Sequence, residues 1–192
     1  RDFYRAFFGA APVKEKPGYV KFLPSWGPVN LALSQGCGPA AGAVDHLGVQ
    51  LESKAELMTQ LTDMVTDYLK AQVEAGAQAL QLFDSWAGSL SPSQYAIYSF
   101  PYSRRIFDAL RDSGVPLIHF GTETAMLLDQ MGEAWADVVG ADWRIPLDQA
   151  WEKIGRNRGI QGNLDPALMF ANFEVIKNET PGILSLAGGR PG

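Results

Sequence analysis

The clearest pattern of apolar and polar positions begins at Ser53 and predicts a long amphipathic helix. Ser53, with Glu56 three residues later, has the spacing of a capping box and marks the helix start. Apolar side chains then recur at spacings of three and four residues: Leu57, Leu61, Met64, Val65, Tyr68, Leu69 and Val73. Because this spacing places them on one helix face, and Gly76 is a natural stop, we predict a helix from Ser53 to Gly76.

After Gly76 the pattern changes to short apolar runs that alternate with helical segments. The apolar runs start near residues 79, 115, 137 and 159. Pro101 breaks or kinks the first helical segment, Pro146 opens the third, and Asp165 with Pro166 begins the fourth. The resulting βαβαβαβα order predicts parallel strands joined by helical crossovers, which is the α/β class.

The pattern before the long helix is less regular. Residues 1–50 contain many Gly and Pro residues, with candidate strands at 19–23 and 29–33. We therefore expect one domain over 1–192, with an irregular part at 1–50 followed by βα units over 51–192.

One proline interrupts the last predicted helix. Pro181 lies inside a segment that otherwise has helical character, and a proline inside a helix costs about 3 kcal/mol. Either this helix ends near Glu179 or the segment is strained.

Polar residues follow each of the four predicted strands at its carboxyl end. They are Asp84 and Ser85 after the first strand, His119, Gly121 and Thr122 after the second, Asp142 and Arg144 after the third, and Gln161, Asn163 and Asp165 after the fourth. Ligands bind at the carboxyl ends of strands in parallel α/β folds, both in barrels and in open sheets. The sequence therefore predicts a site at this end of the sheet, but the pattern does not identify the reaction.

Several of these residues also have a purely structural interpretation. Asp84 could cap the turn that follows it, and Asp165 is more typical of a helix cap than of a catalytic group. Arg144 could pair with Asp142 or Asp148. Both interpretations stay open at the level of sequence.

Composition narrows the classes of function. A net charge of −5 argues against nonspecific binding of nucleic acid, and no apolar run reaches the roughly 18 residues of a membrane helix. One cysteine, Cys37, and two histidines, His46 and His119, are too few for an internal disulfide or a protein-built zinc site. Gly121 is not part of a GxGxxG motif, and the sequence has no P-loop or GxSxG motif. With no recognisable signal peptide, we expect a cytoplasmic protein.

Five motifs resemble the uroporphyrinogen decarboxylase family in their order and spacing: FDSWAGSLSP, PYSRRI, PLIHFGT, VVGADWRIPLDQAW and IQGNLDPALM. The resemblance implies a (β/α)8 TIM barrel, here incomplete with about four to six parallel strands, and a homodimer. It also implies a carboxy-lyase of haem and porphyrin biosynthesis. Such an enzyme removes CO2 from the acetate side chains of uroporphyrinogen to give coproporphyrinogen, without a metal or an organic cofactor.

The resemblance assigns roles to the strand-end residues. Ser85 matches a family position that contacts substrate, and Asp84 before it would orient the loop, so these two are the candidate catalytic residues. The candidate substrate-binding residues that would form the pocket wall, in addition to Ser85, are His119, Thr122, Arg144 and Gln161. No metal ligand is expected.

The chain departs from the family pattern in three places. Ser34, in GPVNLALSQ, lies where the family has a substrate-contacting Tyr in a GAPWTLASY strand. Residues 1–50 contain neither the family's RQAGR-type loop nor the aspartate that grips the pyrrole N–H groups. The chain ends at GGRPG, before the family's NLGHG strand with its substrate-contacting His. We therefore expect a truncated family member with an atypical N-terminus.

Three functions are compatible with these observations. The first is uroporphyrinogen decarboxylase activity. The second is a catalytically incompetent barrel fragment that only binds porphyrinogen or assembles with a partner. The third is a corrinoid-dependent methyltransferase relative, whose zinc would need ligands such as Cys37 and His46.

Overall fold

The computed structural model of the protein describes residues 2–23, 29–34, 44–49, 53–155 and 157–190. These residues belong to two compact units, Arg1–Leu57 and Met58–Gly192. The boundary between the units lies in the first turn of helix α2, Lys54–Glu74. Each unit has its own sheet.

The first unit is a short helix followed by an antiparallel sheet. Its elements are α1 Asp2–Phe8, β1 Lys14–Lys16, β2 Tyr19–Phe22, β3 Val29–Ser34 and β4 Val44–Val49, with the strands paired in chain order. Val20 and Phe22 are buried, and the Tyr4 ring lies 6.4 Å from that of Phe22. The predicted strands at 19–23 and 29–33 therefore exist, but they do not add to the parallel sheet. Their connection is too short for the crossover that parallel pairing needs.

The second unit is a parallel sheet with crossover helices. Its strands are β5 Leu80–Phe83, β6 Leu117–Phe120, β7 Val138–Gly140 and β8 Gly159–Gln161, paired in chain order. Its helices after α2 are α3 Pro92–Tyr98, α4 Phe100–Leu110, α5 Leu128–Glu133, α6 Leu147–Ile154 and α7 Phe173–Leu186, with 3-10 helices at Ala87–Ser89 and Pro166–Phe170. The α/β class is confirmed, and the described parallel sheet has four strands, half the number in a (β/α)8 barrel.

Helix caps lie where the polar residues predicted them. The Ser53 hydroxyl accepts a hydrogen bond of 3.1 Å from the Glu56 amide, at the start of α2. The Asp165 carboxylate accepts one of 2.9 Å from the Ala167 amide, so Asp165 caps the 3-10 helix that follows. The structural interpretation of Asp165 is therefore confirmed.

Two prolines act differently from one another. The predicted break between α3 and α4 falls at Ser99, and Pro101 lies in the first turn of α4, where a missing N–H costs little. Pro181 lies inside α7, which continues to Leu186 rather than ending near Glu179. Of the two alternatives, the early end near Glu179 is therefore wrong, and the interior position of Pro181 weakens α7.

The two faces of the parallel sheet have different surroundings. We call the face packed against helices the helix face; it includes Leu80, Leu82, Leu117, His119 and Val139. Because side chains alternate along a strand, the intervening residues lie on the other face, which we call the open face: Gln81, Phe83, Ile118, Phe120, Val138, Gly140 and Gln161. Phe83 on the open face is 63% exposed.

Within the described ranges, none of the helices has the length and apolar character needed to cross a membrane.

Candidate active site

The loops after β5 and β6 pack tightly together at the carboxyl end of the sheet. A Cβ atom on Gly88 would lie 2.3 Å from the Thr122 carbonyl oxygen, and one on Gly121 would lie 2.9 Å from the Asp84 carbonyl oxygen. The Thr122 hydroxyl donates a hydrogen bond of 2.6 Å to the Ser85 carbonyl. Only glycine permits this approach of two backbones. The structure therefore brings together Asp84, Ser85 and Thr122, three of the predicted site residues.

The Asp84 carboxylate is held by hydroxyl groups from the helices behind it. Its Oδ2 atom accepts hydrogen bonds from Ser99 Oγ at 2.8 Å and Ser103 Oγ at 3.2 Å. His119 Nε2 lies 3.6 Å from the same oxygen, just beyond hydrogen-bond length. The side chain of Asp84 thus points to the helix face. It does not cap the turn that follows it.

These contacts change the acidity of two side chains. Burial alone would raise the pKa of Asp84. The interactions of its carboxylate with His119 and with the hydroxyl groups of Ser99 and Ser103 more than offset the effect of burial, so the pKa of Asp84 lies below the ordinary value. Burial, with the negative charge of Asp84 nearby, strongly raises the pKa of Tyr95. At neutral pH Asp84 is therefore a carboxylate and Tyr95 a neutral phenol.

His119 does not lie on the wall of a pocket at this site. Its side chain is fully buried on the helix face, with its ring 5.0 Å from that of Phe107. Neither ring nitrogen has a hydrogen-bond partner among the described residues. The sequence prediction placed His119 beside the substrate, but the alternation of β6 turns it to the same face as Leu117. Its remaining polar contact is with Asp84.

Ser85 lines a shallow hollow of about 520 Å³ formed by the end of β5 and the loop after it. Ser85 is exposed, and Trp86 beside it is 87% exposed. Phe83 and Leu90 form apolar parts of the wall. A polar group beside apolar side chains in one hollow can orient a ligand that buries its apolar surface there.

Arg144 is held by two carboxylates, one from its own loop and one from the loop after β6. Its guanidinium donates to Asp142 at 2.7 Å and to Glu123 at 3.0 Å, and it lies 4.0 Å from the centre of the Trp143 ring. The Asp142 side chain is only 2% exposed and also accepts a 2.6 Å hydrogen bond from the Glu123 amide. The predicted pairing of Arg144 with Asp142 is present. Its positive charge is therefore largely offset within the protein.

Gln161 lines a second hollow of about 310 Å³ on the open face. Gln81 and Phe120 form the opposite side of this hollow. Asn163 also lines it and donates hydrogen bonds to the carbonyls of Asp142, at 3.1 Å, and Ile145. The rings of Phe83 and Phe120 meet edge to face at 5.9 Å, so an aromatic pair connects the two hollows.

The structure thus divides the six candidate residues into two groups. Ser85, Thr122, Arg144 and Gln161 lie at the strand ends or on the open face, and Asp84 and His119 lie behind them. Sequence reasoning missed Ser99 and Ser103, which hold Asp84. Their spacing of four residues on one helix, in line with the buried Phe107, is the signal that could have identified them.

The described residues contain no group of three His, Cys, Asp or Glu side chains placed to hold a metal ion. Cys37 lies outside the described residues, and only the backbone of His46, in β4, is described.

Comparison with known proteins places the chain in one family. The family model for uroporphyrinogen decarboxylase (URO-D) matches residues 46–192. This segment contains all six candidate residues.

Curated relatives carry the same name. A uroporphyrinogen decarboxylase of Carboxydothermus hydrogenoformans is 48% identical over 141 residues, covering 73% of this chain and 40% of the relative. That of Streptomyces coelicolor is 49% identical over 138 residues, covering 72% of this chain and 39% of the relative. That of Nocardia farcinica is 53% identical over 122 residues, covering 64% of this chain and 34% of the relative. The chain spans about two fifths of the length of the first of these relatives. Because the family model covers more than half of the chain, this protein belongs to the uroporphyrinogen decarboxylase family.

Proposed function

We propose that the strand-end loops form part of the active site of a uroporphyrinogen decarboxylase. The enzyme would remove CO2 from the acetate side chains of uroporphyrinogen to give coproporphyrinogen. The observation that carries the proposal is the position of Ser85. It is exposed and lines a hollow, within the segment that matches relatives named for this reaction.

The chemistry fits a site built from ordinary side chains. Loss of CO2 breaks a carbon–carbon bond and leaves an electron pair on the acetate methylene carbon. A pyrrole ring that is protonated can accept this pair; a second proton then completes the methyl group as the ring releases the first, so one proton is consumed for each CO2 lost. Since the substrate supplies its own electron sink, the protein has only to bind carboxylates, orient the ring and stabilise charge.

Each candidate residue except Arg144 has a place in this scheme. The Ser85 hydroxyl donates a hydrogen bond to a substrate carboxylate, while the Phe83–Phe120 pair contacts the apolar ring faces. The Gln161 amide binds a polar edge of the tetrapyrrole on the open face. Thr122 fixes the Ser85 backbone. Asp84, with His119 behind it, acts as a positioning residue for the loop.

The test is turnover by the purified chain. It is incubated with uroporphyrinogen under anaerobic reducing conditions, and the products are oxidised and separated as porphyrins. Coproporphyrin supports the proposal. We expect Ser85→Ala to lower the rate roughly tenfold or more, the value of one hydrogen bond to a charged group. Ser93→Ala, on the exposed surface of α3, serves as the control. Equal rates for the Ser85→Ala variant and the unmodified protein would exclude this role for Ser85.

A second function is assembly with a partner chain, without turnover by this chain alone, and one observation favours it. Arg144 is the one cation on the described strand-end loops, and two carboxylates already offset its charge. A substrate with many carboxylates needs cations that are free to pair with it. Weak binding of uroporphyrin and no coproporphyrin from the chain alone would support this alternative.

We also propose that the protein acts as a cytoplasmic homodimer. The proposal rests on the family resemblance, and light scattering during size-exclusion chromatography tests the oligomeric state. A monomer at micromolar concentration would count against it.

A further inference from the structure

Three arginines surround the ring of Trp135. The guanidinium carbons of Arg111, Arg104 and Arg158 lie 4.8, 5.8 and 6.0 Å from the ring centre. Trp135 itself is 47% exposed and has a φ of 72°, a conformation that bulky residues rarely adopt. Such a concentration of positive charge on a strained aromatic residue is unusual on the surface of an acidic protein.

This cluster lies far from the candidate active site in the topology of the sheet. Arg111 follows α4 and precedes β6, Trp135 precedes β7, and Arg158 immediately precedes β8. All three therefore lie at the amino ends of the strands, whereas Ser85 lies at a carboxyl end. The Trp135 cluster is thus a second site and not an extension of the first.

A cleft of about 460 Å³ opens beside the ring. Its lining includes Arg104, Lys153 and Arg158, and also the acidic residues Asp129 and Glu133. Cations from α4, α6 and the segment before β8 therefore face one space from separate directions.

The acidic residues do not fully offset these cations. Lys153 pairs with Asp129 at 3.2 Å. Asp108 is shared between Arg111 at 3.0 Å and Arg104 at a longer 3.9 Å.

Arg158 leaves the cleft with an excess of positive charge. It donates to the Ala136 carbonyl and, within the described part of the chain, has no carboxylate within 4.0 Å. The lining thus has three cations and two carboxylates, and at least one guanidinium has donors left for a ligand.

We propose that the cleft beside Trp135 binds the phosphate group of a small molecule between Arg104, Lys153 and Arg158. A tetrahedral oxyanion presents acceptor oxygens in several directions, as donors from three separate elements require. A planar carboxylate presents only two oxygens. Trp135 holds the guanidinium groups in place through its ring face, which keeps them oriented when the ligand is absent.

The experiment is a titration of the full chain with inorganic phosphate, followed by calorimetry and by the indole signals in NMR spectra. Glycerol phosphate and acetate are titrated in parallel. We expect saturation by phosphate and glycerol phosphate, a shift of the Trp135 indole resonance, and much weaker binding of acetate. A response to phosphate without one to glycerol phosphate would indicate a site for the free ion.

Two variants test the residues. Arg158→Gln and Arg104→Gln should each weaken phosphate binding roughly tenfold, the effect of losing one charge-assisted hydrogen bond. Arg104 is exposed, so its replacement tests the proposal even if loss of the Arg158 bond to Ala136 impairs folding. The matched control is Arg105→Gln, which removes the same charge from the same helix. Arg105 pairs with Asp63 at 2.5 Å and does not line the cleft. Equal binding by Arg104→Gln and Arg105→Gln, or no saturation below about 10 mM phosphate, would overturn the proposal.

Discussion

The charge of Asp84 gives the most direct test of how the β5 loop is positioned. The carboxylate accepts from Ser99 at 2.8 Å and from Ser103 at 3.2 Å, and its side chain is 20% exposed. Hydrogen bonds to charged groups contribute about 1.5–3 kcal/mol. Because water still reaches this carboxylate, we expect Ser99→Ala to cost about 1.5 kcal/mol of unfolding free energy and Ser103→Ala about 1 kcal/mol.

Removing the charge should weaken both hydroxyl contacts at once. Asp84→Asn keeps the shape of the side chain and leaves a neutral acceptor, so we expect the free energy of unfolding to fall by about 2 kcal/mol. In that background Ser99→Ala should cost only about 0.5 kcal/mol, a coupling of about 1 kcal/mol between the two positions. Ser185→Ala is the control, since its hydroxyl donates to the Gly182 carbonyl within α7.

The contribution of Asp84 should also depend on pH with a definite sign. Its pKa is lower in the folded protein than the ordinary value of about 3.9, so near pH 4 the unfolded chain binds more protons. The stabilisation is therefore fully present above about pH 5 and is lost as the pH falls through the folded pKa. The difference in unfolding free energy between the wild-type protein and Asp84→Asn should be constant from neutral pH down to about pH 5 and should shrink below it.

Urea unfolding followed by circular dichroism measures these quantities at neutral pH and near pH 3.5. The reasoning is refuted if Ser99→Ala costs the same with Asp84 and with Asn at position 84. A difference between wild type and Asp84→Asn that does not change between the two pH values would refute it as well. The same series in His119→Gln separates the contribution of that side chain.

Three other predictions concern packing, charge and helix continuity. Gly88→Ala should lower the free energy of unfolding by about 1–3 kcal/mol, because the added methyl group meets a backbone carbonyl that cannot change rotamer. The control Gly182→Ala, with open space around it, should be neutral or stabilising by up to about 1 kcal/mol in the same urea titration. Arg144→Gln should cost up to about 3 kcal/mol, since it leaves a buried carboxylate without a cation. Arg105→Gln, which removes the exposed ion pair with Asp63, should lower the free energy of unfolding by less than about 1 kcal/mol. Equal losses for the two Arg→Gln variants would contradict this explanation. Pro181→Ala should raise the free energy of unfolding by about 1–2 kcal/mol, after the lower entropy of the unfolded chain with proline is subtracted, and an unchanged melting temperature would show that the proline does not weaken α7.

Much of the chain from Ser53 onward could be predicted from the sequence because its signals are local. The capping residues Ser53 and Asp165 are determined by their own neighbours in the chain, and both act as predicted. The four parallel strands were predicted from short apolar runs separated by helices, a pattern that admits few other topologies. The polar strand ends followed from the same reasoning.

Other features depend on pairing between distant parts of the chain. The strands at 19–22 and 29–34 could be recognised as strands, but not assigned to an antiparallel sheet. The orientation of His119 was hidden because LIHF is apolar on both sides of the histidine, so period-two alternation gave no sign of its face. The support of Asp84 by Ser99 joins positions 15 residues apart. The spacing of Ser99, Ser103 and Phe107 marks one buried side, but it does not identify Asp84 as the partner.

The interlocked loops have a consequence for motion at the site. The Asp84 amide donates to the Phe120 carbonyl at 2.7 Å, and Gly88 lies directly against the Thr122 carbonyl. Neither loop can swing outward without displacing the other. The amide protons of 84–90 and 121–124 should therefore exchange with deuterium through one shared opening event, as a single cooperative unit. Ligand entry would then have to occur over the exposed Trp86 side of the hollow, with the floor of the site held fixed.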